Sequence, residues 1–246
     1  MENGIHIYSY SLTTPSSSSG ECISSKTAML SMPAYVSFRS QMGLDHEWGL
    51  YAYRTVFEDQ EIWERYTNYV YNAIIAKIQN YCGRKDPTLP AKVQSSFHLL
   101  LKEDEHLEGL TYREVRDIFV QWIVAGGAED ERWIDHGMYD WYFLYVDRDI
   151  LEKFRRIDDA RKGKTPDYIA EEVPVIVVRA HSLVCETDPD DIWCSKFEGD
   201  PAEEDAGKEW QHVSAYCIPE FIDFHRGDGE AWFTFFKRPP GVWNTP

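Results

Sequence analysis

The sequence predicts an α+β domain: a mainly antiparallel sheet with helices packed on one face, ferredoxin-like or related. Three observations predict it. Short aromatic or β-branched runs alternate along the chain with stretches of helical spacing. Their order reads β-α-β-α-β-α-β-β-α-β, which helices layered on a mainly antiparallel sheet explain best. The chain has 246 residues, 43% of them hydrophobic, enough for one substantial core. A parallel doubly-wound sheet is the alternative.

Residues 1–45 read as a flexible N-terminal segment, because Thr13-Thr14-Pro15-Ser16-Ser17-Ser18-Ser19-Gly20 is low in complexity and rich in turn formers. Residues 46–246 read as a single domain. Its first strand is the aromatic run Trp48 to Phe57. Asp59 then caps a helix whose apolar positions are Ile62, Tyr66, Tyr69, Val70, Ala73 and Ile74, ended by Gly83. A second strand follows at Phe97 to Leu101. Thr111 and Glu114 have the spacing of a capping box, which opens a helix with the stripe Val115, Ile118, Phe119 and Trp122. Tyr139 to Val146 is a strand with aromatics at odd and even positions. A strand with one wet face would carry polar residues there, so both faces are expected to be covered, by chain or by a bound molecule. Asp147 or Asp149 caps the next helix, which carries Ile150, Leu151, Phe154 and Ile157. Val173 to Val178 is a β-branched strand whose Pro174 belongs at its beginning or on an edge. Residues 182–209 read as a long acidic loop, of the length that serves as a lid or binding loop or stays disordered. A strand near His212 to Cys217, a short helix opened by Pro219 and a strand at Ala231 to Phe236 close the domain.

Composition narrows the partners. The formal net charge of −17 repels phosphate backbones and anionic lipid, which argues against nucleic acid and against membrane surfaces. No apolar run approaches the roughly 20 residues of a membrane span, and no secretory signal is visible. Five scattered cysteines, an odd number, are not a secreted disulfide framework. A cytoplasmic protein is expected.

The motifs of the common chemistries are missing: no glycine-rich nucleotide loop, no nucleophile elbow and no HExxH helix. His181, Cys185, Cys194, His212 and Cys217 are residue types that suit zinc. Their spacing is loose and no CxxC pair anchors them, so neither a metal nor a cofactor is expected. Arg54 lies in an apolar, aromatic strand. A charge there must be paired, with Asp147 or Glu47, or must face a ligand. His98, between Phe97 and Leu99, poses the same question.

Three stretches carry a resemblance: Trp48-Gly49 through Tyr53-Arg54-Thr55, Glu114-Val115-Arg116 with Phe119 and Trp122, and Val146-Asp147 leading into Leu151. Together they resemble a poorly described, functionally uncharacterised group of filamentous-fungal proteins, over roughly the middle of the chain. The resemblance implies a fungal source and, because fungi make many specialised metabolites, small-molecule biosynthesis. It implies no catalytic residue.

With 15% aromatic residues and no nucleophile signature, the expected function is a cofactor-independent enzyme. It would cyclise or isomerise an apolar small metabolite, including by pericyclic cycloaddition, by holding a flexible substrate in its reactive shape. The candidate catalytic residues are Arg54, Tyr53 and Tyr145, donors for a carbonyl that gains electron density. The candidate substrate-binding residues are Tyr51, Trp141, Tyr142, Phe143 and His98. The alternative is a non-catalytic protein-interaction module that presents aromatic anchors and uses the acidic loop to steer a basic partner.

Overall fold

The computed structural model describes residues 48–82, 91, 94–95, 97–125, 142–180, 209–225, 232 and 236–244. The N-terminal segment, Trp141 and residues 182–208 of the acidic loop lie outside them, as do Glu47, Gly83, His181, Cys185 and Cys194.

The elements follow the predicted order: β1 (Trp48–Arg54), α1 (Gln60–Cys82), β2 (Phe97–Lys102), α2 (Tyr112–Val124), β3 (Tyr142–Val146), α3 (Arg148–Arg161), β4 (Pro174–Arg179), β5 (Trp210–Ser214), α4 (Ile218–His225) and β6 (Val242–Trp243). The caps are those the sequence signals. Asp59 Oδ1 accepts from the Ile62 N–H at 3.0 Å. Thr111 and Glu114 close a reciprocal capping box. Asp147 Oδ1, not Asp149, accepts from the Ile150 N–H at 2.9 Å. Pro174 takes the first position of β4, where a missing N–H costs least. Most of the strand expected at Ala231 to Phe236, namely Ala231 and residues 233–235, lies outside the described residues. Trp232 is helical, and the edge strand is Val242–Trp243.

The six strands form one sheet in the order β2-β1-β3-β4-β5-β6. It is mixed, and this corrects the expectation of a mainly antiparallel sheet. β1 runs parallel to both β2 and β3, and β5 runs parallel to β6, while β3–β4 and β4–β5 are antiparallel. The reason is the length of the early connections. β1 reaches β2 through α1, and β2 reaches β3 through α2; a helix-long crossover returns the chain to start the next strand in the same direction. The first crossover steps to one side of β1 and the second to the other. Right-handed crossovers of opposite sense put their helices on opposite faces. That corrects the expectation of helices on a single face.

Side-chain contacts identify the two faces. Tyr51, Tyr53 and Phe143 meet Phe119 of α2. Phe97 of β2 meets Tyr71 of α1, and Tyr142 meets Phe221 of α4, on the opposite side. α3 packs on α1 through Phe154, which lies between Tyr66 and Tyr69. All five residues of β3 are buried, so both its faces are covered. β1 and β2 approach so closely at Gly49 that a Cβ there would lie 1.8 Å from the His98 carbonyl oxygen, which only glycine avoids.

Candidate functional site

Alternation along the strands divides the sequence-derived site residues between the two faces. Tyr51, Tyr53, Phe143 and Tyr145 lie on the α2 face, as does His98, whose register partner is Gly49. Tyr51 is 5.0 Å edge-on from Trp122, and Tyr53 is 5.2 Å edge-on from Phe143. Lys102, which the sequence reading did not single out, lies 4.9 Å over the Tyr51 ring and 5.2 Å over Trp122. The Tyr145 hydroxyl donates to the Leu110 carbonyl at 2.8 Å, and burial pushes its pKa above the usual value. These rings spend their contact area on one another and on α2.

Arg54 and Tyr142 lie on the other face, at opposite ends. Arg54 is the register partner of Val146, four residues beyond Tyr142, so the two are separated by about 13 Å along the strand direction. The Arg54 guanidinium is 3% exposed. Nη1 donates to Gln60 Oε1 at 2.6 Å and reaches Glu103 Oε1 at 3.3 Å, and Nε donates to the Val56 carbonyl at 2.8 Å. The guanidinium stands over the rings of Phe57 and Trp63. Its carboxylate partner is therefore Glu103, held in place by the Trp63 indole N–H at 2.6 Å. Asp147 is committed to capping α3, and burial raises its pKa.

Around Tyr142 the structure brings together residues that sequence reasoning missed. Tyr142 is opposite Arg179, and Gln211 is opposite Val177, two residues before Arg179. Register and alternation put all three side chains on one face at one end of the sheet. They are 2%, 8% and 0% exposed. Aromatic rings pack on Tyr142 and on one another beside them. Trp232 stacks on Tyr142 at 5.5 Å, and Phe221 meets both edge-on at about 6 Å. Trp243 stands edge-on to Phe221 at 5.5 Å. Burial lowers the pKa of Arg179. One signal could have found Arg179: it is a charged residue closing an all-apolar strand, the same pattern that drew attention to Arg54. Nothing in Trp210-Gln211-His212 marks Gln211, because its meaning depends on register.

His212 is the next residue of β5 and so faces the opposite side. Its ring is edge-on to Trp210 at 5.3 Å. Burial, with Lys153 nearby, pulls its pKa to about 4, against a hydrogen bond to Pro240 that raises it. Pro240 has no N–H, so the imidazole donates to its carbonyl. The folded state thus keeps His212 neutral where the unfolded chain, with a pKa near 6.5, takes up a proton. Stability rises with pH through that window and is lost as pH falls from about 6.5 to about 4. Denaturant unfolding at pH 7 and pH 4 should show wild type losing about 3 kcal/mol more than His212→Gln. Equal losses would show that His212 does not drive the acid response.

Glu209, the described end of the acidic loop, accepts from Tyr112 at 2.9 Å and pairs with Arg113 and Arg116 at 3.2 and 3.1 Å. Burial raises its pKa, and the two guanidiniums outweigh that and hold it below the usual value. Among the described residues no group of three or more His, Cys, Asp or Glu side chains is placed to hold a metal. Nor is any helix among them long and apolar enough to cross a membrane.

No protein-family model, curated protein or solved structure matches the chain.

Proposed function

We propose that the protein binds an apolar small molecule at the Tyr142–Arg179–Gln211 end of the sheet and cyclises or isomerises it without a cofactor. One observation carries the reading: three buried polar side chains share one end of a face otherwise walled by Trp232, Phe221 and Trp243. A mostly apolar enclosure with a few convergent polar groups is the usual make-up of a small-molecule site. The rings would hold a flexible substrate in its reactive conformation, which takes ordering entropy out of the barrier. The Tyr142 hydroxyl and the Gln211 amide would donate to an oxygen as electron density builds on it. Among the described residues, Tyr142 is the one member of the sequence-derived set at this end. Arg54 is far along the same face and bonded to its neighbours. The resemblance noted above would place this chemistry in fungal specialised metabolism, and the partner is then an apolar metabolite. The interaction-module alternative calls for exposed aromatic anchors; the large hydrophobics exposed among the described residues are Ile118 and Ile169, both aliphatic.

Cyclisation and isomerisation leave mass unchanged. Incubating the full chain with fungal metabolite extract and following it by liquid chromatography–mass spectrometry should show a compound replaced by an isomer of equal mass. Tyr142→Phe should slow that conversion about tenfold or more, the size of a lost transition-state hydrogen bond. No equal-mass conversion, or conversion that survives heat inactivation, would remove the reading.

A further inference from the structure

Gln211 carries the most informative polar atom on the Tyr142 face. Its side chain has no exposure at all. The backbone N–H of Lys237 donates to Oε1 at 3.1 Å, which fixes which end of the amide is oxygen and which is nitrogen. Nε2, with two N–H donors, then points the other way and meets no acceptor among the described residues. A buried amide donor left unmade costs free energy, so this one calls for an acceptor beyond the described residues, and a bound molecule is one that can supply it. Its surroundings say what kind. The face around it holds the Trp232, Phe221 and Trp243 rings; of the polar neighbours on the same face, Arg179 offers donors alone, and the Tyr142 hydroxyl oxygen does not accept from Nε2. A molecule placed there has to be apolar in body and present an oxygen with lone pairs.

We infer that Gln211 Nε2 receives a carbonyl oxygen, so that the site takes apolar ketones, aldehydes or esters in preference to hydrocarbons of the same shape. The inference rests on the apolar-site reading and narrows it to a substrate class. It also assigns Gln211 a role as a specificity-determining residue.

Two probes separate the inference from the reading beneath it: 2-acetylnaphthalene, and 2-isopropenylnaphthalene, in which a CH2 group replaces the carbonyl oxygen. Isothermal titration of the full chain should give saturable binding of both at one site per chain. The ketone should bind several-fold to about tenfold more tightly, the worth of one neutral hydrogen bond. Gln211→Glu keeps the Lys237 contact and replaces the donor with an acceptor. Gln211→Leu removes the polar end without adding charge. In either variant the preference should vanish while the hydrocarbon still binds. Equal affinity of wild type for the two probes overturns the carbonyl inference and leaves the apolar site standing, as expected if only a water meets Nε2. A preference that persists in the variants also overturns it, because the donor is then elsewhere. No saturable binding of either probe overturns both. If neither variant folds, the comparison of the two probes on wild type decides alone.

Discussion

Replacing Arg54 with methionine is expected to destabilise the protein by about 3–5 kcal/mol, the range for breaking a buried ion pair from one side. Methionine keeps most of the stem and removes every donor. Three acceptors lose their partner at once: the Val56 carbonyl, Gln60 Oε1 and Glu103 Oε1. The guanidinium's contacts with the Phe57 and Trp63 rings go as well. Glu103 retains the Trp63 indole N–H, and its side chain is 21% exposed, which puts the effect toward the lower end of that range. The consequence reaches beyond one pair. Arg54 ends β1, Gln60 begins α1 and Glu103 follows β2, so the guanidinium ties together the three pieces of the first crossover. Chemical denaturation of wild type, Arg54→Met, Glu103→Gln and the double variant measures it. A coupling energy near zero, or an Arg54→Met variant as stable as wild type, would show that Arg54 is free to face a ligand.

The element order was legible in the sequence because it rests on local signals. The capping box at Thr111 and Glu114, the cap at Asp147 and the β-branched run into Val178 each act within a few residues. Strand direction and the assignment of faces are not local. The aromatics at odd and even positions of β1 and β3 correctly signalled two covered faces, but one strand read alone does not say which side chains share a face. Pairing does: the Tyr142–Arg179 and Val177–Gln211 registers assemble the candidate site from three strands. The same pairing puts Tyr53 and Tyr145 on the far side from Tyr142. Arg54 and Arg179 show the limit from another direction. Both are charges at the ends of apolar strands, alike as sequence features. Only the fold supplies Glu103 to one and puts Gln211 diagonally across from the other.

A second large effect is expected where α1 meets α4. Lys77 Nζ lies 2.9 Å from Glu220 Oε2, with side chains only 8% and 5% exposed, and the ammonium stands 4.7 Å over the Tyr216 ring. Water hydrates neither charge well, so each depends on the other. Glu220→Gln keeps the shape but leaves Lys77 without this counter-charge, and it should cost about 3–5 kcal/mol. Lys77→Met leaves the carboxylate behind and should cost a similar amount. Changing both together, Lys77→Met with Glu220→Leu, removes two desolvated charges and should return the protein to within about 1 kcal/mol of wild type or above it, as buried pairs replaced by apolar residues often do. The pair also bears on the candidate site, because Phe221 follows Glu220 and packs against Tyr142 and Trp232. If the ion pair sets the position of α4, the double variant should keep its stability but bind 2-acetylnaphthalene more weakly. If the apolar contacts of α4 set it, binding should match wild type. A double variant as unstable as the singles would show that the two charges are not each other's main partners, and that other neighbours hold them.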